Sequence, residues 1–248
     1  MSGSLVVVGT GPGKAELMTP ATQTALARAT DLVGYGTYLD RIPARGGQCR
    51  HASDNRVELD RARLALSLAA SGRQVAVVSG GDPGVFAMAA AVFEAVETGD
   101  PAWRNLDIRV EPGVTAMLAA AAEVGAPLGG DFCAISLSDN LKAWTTVERR
   151  LTAAAQADFV IALYNPASKA RPHQLGQAFE LLRKLKAAET PVLFVRAAGT
   201  AEAEVVTTTL GAADPSRADM RTLVIVGAST TRQVGRWVYT PRSERAPS

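Results

Sequence analysis

One local pattern recurs along the first half of the chain and restricts the folds open to it. A short β-branched run stops at a glycine/proline break, and an apolar helical stretch follows. The clearest copy is Val75-Ala76-Val77-Val78, then Gly80-Gly81-Asp82-Pro83-Gly84, then an Ala-rich helical pattern from Val85 to about Val96. An uninterrupted apolar run suits a strand covered on both faces. Leu5-Val6-Val7-Val8 likewise enters Gly9-Thr10-Gly11-Pro12-Gly13-Lys14, and Leu106–Val110 enters Glu111-Pro112-Gly113-Val114-Thr115-Ala116. Strands alternating with helices predict a parallel sheet with right-handed crossovers. All three breaks then emerge at the carboxyl ends of their strands, the edge where such sheets bind ligands.

The loop chemistry narrows the ligand. The first loop lacks the third glycine of a dinucleotide fingerprint, because Lys14 stands there, and Ala15 replaces the Ser or Thr of a phosphate loop. Pro12 also removes a backbone donor. No acid closes the second strand, which begins at Asp31-Leu32-Val33, where a dinucleotide enzyme holds its ribose; this disfavours an NAD-dependent oxidoreductase. Together the three loops offer bare backbone at Gly80 and Gly81, the Asp82 carboxylate and the Thr115 hydroxyl. That set suits a neutral or cationic nucleoside better than a polyphosphate. Asp82 also reads as the cap of the following helix, with Pro83 at its first position. Tyr35 and Tyr38 read as core packing or as a stacking surface.

Thr19-Pro20 is expected to start a helix reaching about Ala29. Ala44–Asn55 reads as a polar connection, and Arg56–Ala70 as a helix. Gly125–Gly130, with Pro127, reads as a hinge. In the second half, strands are expected at Phe132–Ile135, Asp158–Leu163, Pro191–Val195, Glu204–Leu210 and Thr222–Val226. Helices are expected over Thr145–Ala155 and along the Leu175, Phe179, Leu182, Leu185 stripe, with Ser168 as a candidate cap. Two strands follow Thr200 without a long helix between them, so this sheet is expected to be partly antiparallel. The tail from Pro241 is polar and expected to be disordered. The organisation expected is an N-terminal α/β domain over 1–111 and a C-terminal α/β domain over 112–248.

A net charge of +2, without a dense Lys/Arg cluster, argues against nucleic acid as a partner. Two His, and two Cys outside any CxxC motif, argue against a structural metal. No segment reads as a signal peptide or reaches spanning length, so a cytoplasmic, membrane-free protein is expected.

Val8-Gly9-Thr10-Gly11-Pro12-Gly13, Gly80–Phe86, Pro112–Ala116, Leu163-Tyr164-Asn165-Pro166 and Gly199-Thr200 occur in this order along nearly the whole chain. In these stretches the sequence resembles the tetrapyrrole (precorrin) methyltransferase family. Gly34–Asp40 and Tyr164–Lys169 are most similar to the branch acting at C(17) of precorrin-3B. The resemblance implies two α/β domains, a parallel five-stranded N-terminal sheet and a mixed C-terminal sheet, with the active-site cleft between them, usually in a homodimer. It implies S-adenosyl-L-methionine as cofactor, S-adenosyl-L-homocysteine as product and a tetrapyrrole substrate. Carried over by position, the cofactor contacts fall at Pro12, Gly80, Gly81, Asp82, Val85, Thr115, Ala116, Asn165 and Gly199. Lys14 departs from the Asp that many relatives carry there. Methylation of precorrin-3B at C(17) with ring contraction to precorrin-4 calls for proton transfers, for which Asp139, Lys169 and His173 are the candidates. Arg45, Arg50, Arg171 and Lys142 are candidate clamps for substrate carboxylates. The alternatives are another precorrin or cobalt-precorrin methyltransferase, or a non-catalytic protein that holds a nucleoside or tetrapyrrole.

Overall fold

The computed structural model describes residues 3–54, 57–168 and 170–243. The chain divides into two compact units, Met1–Ala116 and Met117–Ser248.

The first unit is a parallel sheet built from β1 (Ser4–Gly9), β2 (Asp31–Tyr35), β3 (Cys49–Ser53), β4 (Gln74–Ser79) and β5 (Asp107–Glu111), in the order β3-β2-β4-β1-β5. Its helices are α1 (Pro20–Arg28), α2 (Gly36–Leu39), α3 (Glu58–Ala70) and α4 (Met88–Thr98). β1 and β4 lie at the centre, and Leu5, Val7, Val8, Val77 and Val78 are fully buried. Two apolar clusters form around the sheet: Val7 and Val77 pack with Leu66 of α3 and Val92 of α4, and Val8 and Val78 with Leu26 of α1. Thr19 caps α1 as expected, its Oγ1 accepting from Thr22 N–H at 3.2 Å, with Pro20 following.

Three expectations for this unit are corrected. The connection read over Ala44–Asn55 contains β3, an edge strand that pairs with β2 from Asp31↔Cys49 to Tyr35↔Ser53. Asp82 does not cap α4: that helix begins at Met88 behind Ala87, and the Asp82 carboxylate is engaged elsewhere. Arg50 is no free clamp, because its guanidinium donates to the Leu39 and Ile42 carbonyls at 2.9 and 2.6 Å and so holds α2 onto the sheet. Arg56 lies outside the described residues.

The second unit begins within α5 (Ala116–Val124), which is followed by the short β6 (Gly125–Ala126). Its main sheet contains β7 (Phe132–Ser136), β8 (Val160–Tyr164), β9 (Pro191–Arg196), β10 (Glu204–Thr209) and β11 (Thr222–Val226), ordered β10-β9-β11-β8-β7. β7 and β8 are parallel; β9, β10 and β11 pair antiparallel, as expected from the missing helix after Thr200. Helices α6 (Trp144–Gln156) and α7 (Gln174–Leu182) bury Val147, Leu151, Leu175, Phe179 and Leu182 in one cluster. Gly125–Gly130 is not an open hinge. β6 joins β12 (Arg232–Val234) and β13 (Trp237–Tyr239) in a small sheet, and Thr240 Oγ1 donates to the Pro127 carbonyl at 2.6 Å. Ser168 does not cap α7; it exchanges backbone hydrogen bonds with Arg171, and His173 occupies the position ahead of the helix. Within the tail, residues 244–248 lie outside the described residues.

Candidate active site

In the first unit the loops after β1, β4 and β5 meet backbone to backbone. Gly11 and Gly81 exchange both hydrogen bonds, N–H to carbonyl, at 3.1 and 2.8 Å. Thr10 anchors the first loop to the end of β4, its N–H and Oγ1 both donating to the Ser79 carbonyl at 2.9 and 3.0 Å. Asp82 ties the second loop to the third. Its Oδ1 accepts from Gly84 N–H at 2.8 Å and its Oδ2 from Gly113 N–H at 3.0 Å. The glycines follow from this crowding. A Cβ on Gly9 would lie 2.7 Å from the Gly81 carbonyl oxygen, and one on Gly113 would lie 2.9 Å from Gly9 Cα and nearer still to that same oxygen. Gly81 also holds φ +65°, a left-handed conformation that costs other residues roughly 1–2 kcal/mol.

The sequence-predicted residues of this unit, Pro12, Gly80, Gly81, Asp82, Val85, Thr115 and Ala116, all lie on these three loops. Thr115 is buried, and the others are half-buried. Gly80 has a packing role. A Cβ there would lie 2.7 Å from the Tyr38 ring, so the missing side chain makes room for Tyr38. Tyr38 contacts Tyr35 edge to face at 5.5 Å, and burial raises its phenol above the ordinary range. The segments after β1, β4 and β5 carry Lys14, Glu16 and Asp82 as their charges, a net negative balance that fits a cationic nucleoside. Beside the first loop lies a cavity of about 300 Å³, lined by Thr10, Met18, Leu26, Ile42, Arg41 and Arg45 among others. Arg45 thus keeps its place as a candidate clamp.

In the second unit the loops after β7 and β8 are cross-linked. Leu137 N–H donates to the Tyr164 carbonyl at 2.9 Å, and Asn165 Nδ2 donates to Ser136 Oγ at 3.0 Å. Gln174 Nε2 donates to Asp139 Oδ2 at 3.1 Å. Asn165 sits at φ 52°, and Phe86 and Ala197, after β4 and β9, at 52° and 50°. Such strain in non-glycine residues concentrates at functional loops. Gly199 is buried, and its N–H donates to Glu123 Oε1 at 3.3 Å. Asp139 is half-buried and His173 exposed; Lys169 lies outside the described residues. Burial and the nearby Arg150 lower the Lys142 ammonium, with Asp139 opposing them. Ser136, Gln174 and Glu123 were not singled out from the sequence. Each is a single polar residue without a motif, and its role appears only when loops distant in sequence meet. Among the described residues no group of three His, Cys, Asp or Glu is placed to hold a metal.

A strand-loop junction of this kind, in a unit followed by a mixed sheet, defines a class. Residues 4–214 match the tetrapyrrole (corrin/porphyrin) methylases. The chain belongs to that family. It is 60% identical over 247 residues to a precorrin-3B C(17)-methyltransferase of Sinorhizobium sp., covering 98% of this chain and 97% of that one. A crystal structure of the methyltransferase CobJ superposes with a TM-score of 0.95 at 55% identity, covering 97% of this chain and all of that one. A uroporphyrin-III C-methyl transferase from Thermus thermophilus, solved in complex with S-adenosyl homocysteine, shares the fold at 23% identity and a TM-score of 0.69, covering 91% of this chain and 97% of that one.

Proposed function

We propose that the protein is an S-adenosyl-L-methionine-dependent methyltransferase of cobalamin biosynthesis. It methylates C(17) of precorrin-3B, with ring contraction to precorrin-4, and releases S-adenosyl-L-homocysteine. The observation that carries this reading is the 60% identity to the Sinorhizobium enzyme over nearly the full length of both chains. The loop junction is consistent with it: its loops are net negative, which suits a sulfonium.

When bound, the donor supplies an electrophilic methyl group. The chain's part is alignment and exclusion of water, effects that reach roughly 7–11 kcal/mol in ideal cases. Asp82 holds the second and third loops in register. Gly80, Gly81, Pro12, Val85, Thr115 and Ala116 are the proposed donor-binding residues of the first unit, and Asn165 and Gly199 those of the second. Asp139, Lys169 and His173 are the proposed proton carriers for contraction. Of these, Asp139 is held by a neighbouring amide and His173 stands in solvent.

The reading includes a cytoplasmic homodimer. Among the described residues no helix is long and apolar enough to cross a membrane. Exposed Val205, Val234 and Trp237 of the second unit are available apolar surface for a second copy. The test is incubation of the purified protein with labelled donor and precorrin-3B, read by mass spectrometry and NMR of the product. Transfer of one methyl group to C(17) supports the proposal. Retention of either ligand without transfer refutes it in favour of a binding protein.

A further inference from the structure

The cavity of about 300 Å³ beside the first loop joins two kinds of lining. Leu26 of α1 and Ile42, on the connection between α2 and β3, are buried and form an apolar interior with half-buried Met18. Arg41 and Arg45 stand exposed on the same connection. Among the described residues neither guanidinium is paired with an acid. Arg41 lies over the Tyr38 ring, 5.7 Å from its centroid, and the Arg45 side chain makes no hydrogen bond or ion pair. No Asp or Glu lines the cavity.

Its walls are fixed from within the protein. Gln48 Nε2 donates to the Leu26 and Ala29 carbonyls, both at 2.8 Å, which ties the connection to the end of α1. Arg50 holds the Ile42 carbonyl at 2.6 Å. A site built in advance loses little to ordering when it binds.

The lining selects a ligand. Arginine pairs with carboxylates through two parallel hydrogen bonds, and the interior suits methylene groups. The volume lies at the small end of ligand pockets, roughly 300–1,000 Å³, so it takes one arm of a large ligand rather than a macrocycle. The complement is a carboxylate on a short aliphatic chain. Two sources reach the neighbouring site: an arm of the tetrapyrrole, and the amino-acid part of the methyl donor. The donor's carboxylate stands beside an ammonium and close to the sulfonium, and two arginines without an acid repel both cations. A tetrapyrrole arm carries neither. The placement agrees: Thr10 and Gly13 line the cavity, on the same loop whose Gly11 is clasped to Gly81. A macrocycle presented to a donor at that loop has its arms beside this cavity.

On the tetrapyrrole reading above, we propose that the cavity seats one carboxylate arm of the substrate. Its methylenes lie against Met18, Leu26 and Ile42, and its carboxylate pairs with Arg41 and Arg45. Such a seat restricts how the macrocycle can turn in the site.

The test compares wild type with Arg45→Gln, Arg45→Lys and the double variant Arg41→Gln/Arg45→Gln. Precorrin-3B binding is titrated by absorbance at several salt concentrations with S-adenosyl-L-homocysteine saturating. Binding of S-adenosyl-L-homocysteine alone is measured by calorimetry, and melting temperatures alongside. Precorrin-3B affinity is expected to fall about tenfold in Arg45→Gln and about a hundredfold in the double variant, one charge-assisted pair for each arginine. Arg45→Lys, which keeps the charge, retains part of it. Wild-type affinity weakens as salt rises, and that of the double variant responds less, a signature that a merely structural role does not produce. S-adenosyl-L-homocysteine affinity and melting temperature stay unchanged, because both side chains are exposed and hold no acid. Gln23→Glu, on the exposed face of α1, adds a negative charge to the lining without changing its size. It is expected to weaken precorrin-3B binding several-fold by repulsion.

Unchanged precorrin-3B affinity in both the double variant and Gln23→Glu overturns the inference. So does an equal loss of S-adenosyl-L-homocysteine affinity, which assigns the cavity to the donor's carboxylate. A wild-type protein that binds precorrin-3B without methylating it defeats the functional reading but leaves this comparison decisive. A wild-type protein with no affinity for precorrin-3B overturns both.

Discussion

Replacing Asp82 by Ala tests how the three loops of the first unit are held together. The carboxylate accepts from Gly113 N–H in a half-buried position and from Gly84 N–H in an exposed one. A shielded hydrogen bond to a charged acceptor contributes about 1.5–3 kcal/mol, and the exposed bond contributes about 0.5–1 kcal/mol. Asp82→Ala is therefore expected to destabilise the fold by roughly 2–4 kcal/mol, leaving Gly113 N–H without its partner. A loosened loop must be ordered again when the donor binds, so S-adenosyl-L-methionine affinity is expected to fall at least about tenfold, or about 1.4 kcal/mol. Asp82→Asn keeps one accepting oxygen and is expected to fall between the two. Urea unfolding gives the stability term and titration calorimetry the binding term. If Asp82→Ala keeps the wild-type urea midpoint and donor affinity, the carboxylate does not organise the junction and the reasoning fails.

Two further outcomes follow from the geometry. Gly113→Ala drives a methyl group into the Gly9 and Gly81 backbone, whereas Gly46→Ala meets nothing within 4 Å. The first is expected to lose several-fold more stability and to lose donor binding, the second to leave both unchanged; equal behaviour of the pair in thermal melts contradicts the packing argument. Asp31 is almost fully buried. Burial alone would raise its pKa, but hydrogen bonds from Arg73, His51 and Thr30 outweigh it and hold the carboxyl at about 2, against 3.8 ordinarily. The folded pKa lies below the unfolded one, so this stabilisation is complete above pH about 4 and is lost as pH falls through about 2. Its size is about 2.5 kcal/mol. Asp31→Asn is expected to flatten the acid limb of stability measured by denaturant at a series of pH values, and an unchanged acid limb speaks against the assignment.

The central strands β1 and β4 were readable because burial on both faces leaves a nearly unbroken apolar run, as in Val75–Val78 and Leu5–Val8. β3 was not readable. At the sheet edge, Cys49, Arg50 and His51 pair through their backbones while their side chains reach solvent or polar partners, so no apolar periodicity marks the strand. The start of α4 was misjudged because an Asp-Pro pair looks the same in sequence whether the carboxylate serves its own helix or a loop some thirty residues away. The convergence of the glycine loops followed from sheet topology. The residues joining the second unit's loops, Ser136 with Asn165 and Asp139 with Gln174, depend on which turns become neighbours, and no local spacing encodes that.

The mutual clasp of Gly11 and Gly81 is made wholly of main chain. Side chains nearby can drift without altering the groups that form it, provided the small residues remain. Such a rim is indifferent to the identity of its flanks, so substitutions around it leave the clasp in place. On the proposed reading, the polar residues around it are then open to change while the backbone seat for the methyl donor stays the same.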